Sequence, residues 1–141
     1  MALKNTYTTS PVSNMLNDIQ KALLRVKATD ISYKFDSQGR ITGLRFGMNI
    51  GSEPVGFLLP VNIEKVRLVL KHEGNKRWND DEYVYRVAWA CMRDWVVAQM
   101  ALIETEMAEP LQVFLPYAHD ASGTTLFEKV VSSGFLLGGG K

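Results

Sequence analysis

Residues 83–104 read YVYRVAWACMRDWVVAQMALIE. Apolar side chains recur there at helical spacing: Val84, Val87, Ala88, Cys91, Trp95, Ala98 and Leu102 form one stripe, and Tyr85, Trp89, Met92, Val96 and Ile103 a second. A helix apolar on two sides is either central to its domain or shared with another subunit, so this stretch sets the architecture. Asn79 and Glu82 have the spacing of a capping box, and Asp80 and Asp81 place negative charge where the helix dipole favours it. The pattern predicts a long helix from Asp80 to Met107, with Pro110 as its stop.

Upstream of it the period is two. Ile31, Tyr33 and Phe35 alternate with polar residues, and Ser37 to Arg40 reads as a turn. Leu44, Phe46, Met48 and Ile50 alternate again, Gly51 to Pro54 turns, and Val55, Phe57 and Leu59 run to Pro60. These runs predict a three-stranded antiparallel meander with one apolar face, which needs a cover of helices. A first amphipathic helix is expected from an Ser10 cap and Pro11, through Val12, Leu16, Ile19 and Leu23, to Ala28. A second, capped by Asn62, ends at Gly74. After Pro110, Phe114 to Tyr117 reads as extended, Asp120 to Gly123 as a turn and Thr125 to Ser132 as a short helix, followed by an apolar patch at Phe135 to Leu137. The expected fold class is therefore α+β: one domain over 1–141, a meander packed on a long central helix with short flanking helices. Residues 1–9 and 138–141 are expected to be flexible.

Of the 141 residues 46% are hydrophobic and 22% charged, with a formal net charge of +1, which excludes an acidic disordered chain and a uniformly basic binder. One cysteine and two histidines leave no disulfide framework and no structural zinc set, so neither metal nor cofactor is expected. No run reaches the roughly 18 apolar residues of a membrane span, and the expected location is the cytoplasm. There is no phosphate loop, no GxSxG elbow and no HExxH. His72 and His119 stand beside Glu73 and Asp120, adjacent positions whose side chains usually diverge, and Cys91 lies in the main apolar stripe as a small hydrophobe. A non-enzymatic protein is expected.

Binding candidates come from charge. Arg86, Trp89 and Arg93 fall on one side of the long helix. Arg86 has Glu82 one turn back, whereas the residues one turn from Arg93 in either direction are Trp89, Ala90, Val96 and Val97. A guanidinium in that setting needs a tertiary carboxylate, such as Asp36 or Asp94 of another subunit, or an anionic ligand. Residues 1–79 carry twelve Lys and Arg against six Asp and Glu, a net of +6, and residues 80–141 carry four against nine, a net of −5. Arg40 and Arg45 in the hairpin, with Arg77 beside Trp78, interleave cations and rings, the composition that nucleotides and single-stranded nucleic acid require. Glu104, Glu106 and Glu109 crowd the helix end where the dipole disfavours anions, which suits solubility or a basic partner surface. The second apolar stripe predicts a homo-oligomer.

The long-helix stretch, with Lys76-Arg77-Trp78 before it, Phe114-Leu115-Pro116 after it, the opening NTYTTSP and the segment SYKFDSQGRITGLRFGM, resembles a group of small uncharacterised bacteriophage and prophage proteins. The resemblance implies a viral gene acting in a bacterial host cell. The resulting expectation is a phage-encoded binding protein that antagonises an antiviral defence by binding a nucleotide signal or an effector protein. The alternative is a single-stranded DNA-binding or recombination accessory protein.

Overall fold

The computed structural model describes residues 3–134. In chain order its elements are α1 (Val12–Arg25), β1 (Asp30–Phe35), β2 (Ile41–Ile50), β3 (Glu53–Pro60), α2 (Ile63–His72), α3 (Asp81–Glu104), α4 (Pro110–Phe114), a 3-10 turn (Leu115–Tyr117), β4 (Ala118–His119) and α5 (Leu126–Ser133). The class is α+β as expected, with one correction: the antiparallel sheet has four strands, in the order β1-β2-β3-β4. β4 joins Ala118 and His119 to Phe57 and Gly56. A strand of two residues is too short for its alternation to be read from sequence.

The boundaries shift where backbone and caps outweigh periodicity. Lys27 takes a left-handed conformation (φ 69°), and Val26 and Ala28 both donate to the Leu23 carbonyl, so α1 closes at Arg25 and not at Ala28. Pro11, rather than Ser10, occupies its N-cap. Asp80 caps α3 by accepting from the Tyr83 N–H, in place of the expected Asn79–Glu82 box. The helix stops at Glu104 because the Thr105 hydroxyl donates back to the Ala101 carbonyl at 2.7 Å and Glu106 turns to φ 63°. The Phe114–Tyr117 stretch is helical, not extended. Glu109 and Gln112 form a capping box with Pro110 in the first turn, so Pro110 opens the next helix. Phe135 to Leu137 and residues 138–141 lie outside the described residues.

One core joins the elements. Phe46 stacks on Phe57 at 5.1 Å between ring centres, Phe114 meets Phe46 edge-on at 5.1 Å, and Trp95 closes on Phe114 at 5.8 Å. Val84, Val87, Trp89, Ala90 and Val96 of α3 are fully buried, while Tyr85, Met92 and Ile103 are half-buried against the same core. Thus α3 is central, and its second stripe is covered within the chain. The premise that this stripe needs another subunit does not hold. Two side chains fasten α3 to the start of β2: the Tyr85 hydroxyl accepts from the Ile41 N–H at 2.8 Å, and the Trp89 indole donates to the Ile41 carbonyl. Residues 3–11, before α1, form no strand. The buried Tyr83 donates its hydroxyl to the Thr6 carbonyl at 2.8 Å and accepts from the Asn75 amide.

Candidate functional site

α1 and α3 run side by side with small residues on the facing surfaces, Ala22 from α1 and Ala98 and Ala101 from α3. Small side chains leave the seam open, and a groove of about 720 Å³ lies along it, floored also by Val97 and Met100. Lys4, Lys21, Arg25 and Arg93 line it together with Asp18, Asp94 and Glu104, an excess of one positive charge. An ion pair marks each end. Arg25 of α1 pairs with Glu104 of α3, and Arg93 of α3 reaches Asp18 of α1 at 3.8 Å.

Arg93 is the most enclosed of these cations on which the groove depends, with its side chain 25% exposed. It donates from Nη2 to Asp94 Oδ1 at 3.1 Å and from Nε to the same oxygen at 3.2 Å. The other Asp94 oxygen accepts from the Asn5 amide at 2.8 Å. Arg93 therefore has partners inside its own chain, one the neighbouring residue and one on α1. Neither is at the i±3 or i±4 spacing through which helical pairing is read. Both acids are about half exposed, so an incoming anion can compete for the guanidinium without first stripping it from a dry pair. Cys91, on the same helix, offers its thiol to the Lys4 carbonyl at 3.8 Å, and burial raises its pKa, against the needs of a nucleophile.

The remaining sequence candidates do not converge on this groove. Trp89 is fully buried in the core, its indole satisfied by Ile41, so its face is closed to a ligand. Arg86 is half-buried, and its Nε finds no acceptor among the described residues. Arg40 folds back on Asp36 at 3.0 Å inside the β1–β2 turn and lines a separate hollow of about 330 Å³. Arg45 is exposed on the outer face of the sheet. Arg77 pairs with Asp80 at 3.0 Å and lies 4.1 Å over the Tyr83 ring, and half-buried Trp78 is covered by Lys71 at 4.7 Å. The basic and aromatic groups of that connection thus bind one another. Tyr33 is half-buried on the core side, while Phe35 is 58% exposed. Of the acidic trio, Glu104 belongs to the groove and Glu109 caps α4.

Sequence reading missed Lys21, Arg25, Asp18 and Lys4 as site residues. Lys21 and Arg25 sit one helical turn apart and read equally well as cations at a helix C-terminus. Nothing in the one-dimensional pattern says that their face meets that of Arg93. No group of three or more metal-ligating side chains occurs among the described residues. No described helix is long and apolar enough to cross a membrane. No family model, curated protein or solved structure matches this chain.

Proposed function

We propose that this chain is a non-enzymatic binding protein whose α1–α3 groove holds a nucleotide-sized anion. In the setting implied by the phage resemblance, that anion is a nucleotide signal of an antiviral defence, which the protein sequesters. The observation that carries the reading is the groove itself: about 720 Å³, within the range of small-molecule sites, with four cations, Arg93, Arg25, Lys21 and Lys4, against three acids around an apolar floor. Phosphates would replace Asp18 and Glu104 as acceptors for Arg93 and Arg25, and the Ala22, Ala98 and Ala101 surface would take a flat base or ribose.

Calorimetric titration of the full chain with cyclic dinucleotides and with ADP-ribose tests this. Saturable binding of one of them, abolished in Arg93→Ala and weakened in Arg25→Ala, is the expected result. Absence of heat across both ligand classes, or binding indifferent to both substitutions, would overturn it. The single-stranded DNA reading is favoured less, because the outward side of the sheet offers Lys34 and Arg45 but no outward ring between them. Oligonucleotide binding with a steep salt dependence would reverse that preference.

A further inference from the structure

The two edges of the sheet are treated differently. Val61 N–H donates to the Thr42 carbonyl at 2.8 Å in the β2–β3 ladder. With the register Leu44↔Leu59 and Phe46↔Phe57, this turns the even-numbered residues of β2 toward β3 and the odd-numbered ones toward β1. On β3 the outward backbone positions are then Pro54, Gly56, Leu58 and Pro60. Two of these lack an N–H, and Gly56 is paired with His119 of β4. That edge is closed in the manner of strands that avoid further pairing.

β1 has neither a proline nor a covering strand among the described residues, and its ladder with β2 is regular from Asp30 to Lys34, with a register shift only between Lys34 and Phe35. Its register, Asp30↔Gly47, Ser32↔Arg45 and Lys34↔Gly43, points Asp30, Ser32 and Lys34 at β2 and turns the backbone groups of Ile31 and Tyr33 outward. Neither Ile31 nor Tyr33 makes an outward backbone hydrogen bond among the described residues. Phe35, at the end of the strand, is 58% exposed.

We propose that two copies of this chain join through β1, antiparallel about a two-fold axis at Ser32, into one continuous sheet. Charge selects the register. With the axis at Ser32, Ile31 of each copy exchanges both backbone hydrogen bonds with Tyr33 of the other, and Asp30 of each copy faces Lys34 of the other on the outer side of the sheet. Moving the axis to Tyr33 sets Asp30 beyond the end of β1, opposite a turn in which Asp36 is already held by Arg40, and moving it to Ile31 leaves both charges without a counterpart. The edge is therefore self-complementary, as a two-fold contact requires.

Size-exclusion chromatography with light scattering on the full chain at micromolar concentration should give twice the chain mass. Ser32→Cys, in a Cys91→Ala background, should form an intermolecular disulfide on mild oxidation, since facing residues of a non-hydrogen-bonded pair lie at disulfide distance. Ser52→Cys, exposed in the β2–β3 turn, should not. Lys34→Asp should yield monomer, and Asp30→Lys combined with Lys34→Asp should restore the dimer. A monomeric parent, or a dimer that survives Lys34→Asp and fails to crosslink at position 32, would overturn the proposal. The serine variant changes only an exposed side chain, so the crosslinking result stands even if a charge variant misfolds.

Discussion

Trp89 donates its indole N–H to the backbone carbonyl of Ile41 at 2.9 Å, across 48 residues of sequence, with the ring fully buried. This fixes how α3 lies on the sheet, because Ile41 begins β2 and its N–H is claimed by Tyr85 on the same helix. Trp89→Phe keeps most of the apolar volume and deletes the donor. The Ile41 carbonyl then loses its partner in a water-poor site, at a cost of about 1–3 kcal/mol. Denaturant unfolding monitored by far-UV circular dichroism should show that loss with an unchanged slope.

Arg93→Ala separates a binding role from a structural one. Its acids, Asp18 and Asp94, are about half exposed and remain hydrated when the guanidinium goes, so the loss of stability should stay below about 1 kcal/mol. Nucleotide binding should vanish while the melting temperature hardly moves. A large drop in melting temperature would instead reveal a pair the fold depends on. Arg93→Lys should recover stability but only part of the binding, since lysine keeps the charge and loses the planar fork.

The outer face of the sheet carries a row in which Asp30, Gly47, Gly56 and His119 lie side by side on successive strands. The His119 ring lies over Gly56 so closely that a Cβ there would meet Nε2 at 2.7 Å and Cε1 at 2.8 Å. The ring is held from behind by its Nδ1 contact with the Asp120 carbonyl at 2.9 Å, so it cannot simply swing away. Gly56→Ala should therefore destabilise by about 1–3 kcal/mol, in the range of overpacking. Adding His119→Ala should return part of that loss, a coupling that thermal melts of the four-member cycle would measure.

Acid sensitivity should centre on Asp120. Its carboxylate accepts from Lys129 Nζ at 2.7 Å, the Ser122 hydroxyl at 2.6 Å and the N–H groups of Ser122 and Thr124, and these hold its pKa well below the usual carboxylate range, the lysine contributing most. A pKa depressed by folding gives stability that is present above the unfolded-state value and lost as pH falls toward the folded-state value. Below about pH 4 the melting temperature of the parent should fall. In Asp120→Asn the fall should be shallower, though not absent, because Asp36, Asp80 and Glu128 are shifted in the same direction by their own hydrogen bonds.

The meander, the central helix and the helices on either side of it were legible because each carries a sustained period over several residues, and Asn62 and Thr125 cap where their chemistry says they should. β4 and the helical turn at 110–114 were not, since a cap or a two-residue pairing decided them and no period did. Arg93 has no carboxylate at helical spacing, and its acids come from the adjacent residue and from α1. The groove needed knowledge of which faces of α1 and α3 meet. That is a tertiary fact, and the even spread of Lys21, Arg25 and Asp18 over one solvated helix face gave no hint of it.

The Tyr83 hydroxyl, bonded to the Thr6 carbonyl across 77 positions, sets an order of events in folding. β1, β2 and β3 are consecutive hairpins joined by short turns, so their pairing closes small loops and costs little chain entropy. Thr6 lies just ahead of α1, so the Thr6–Tyr83 contact follows the meeting of α1 with α3, and its reward arrives only once α3 has seated on the sheet. Residues 3–11 are thus expected to lock late and release early. Their amide protons and their susceptibility to proteases report on whether α3 is home, well before the sheet itself lets go.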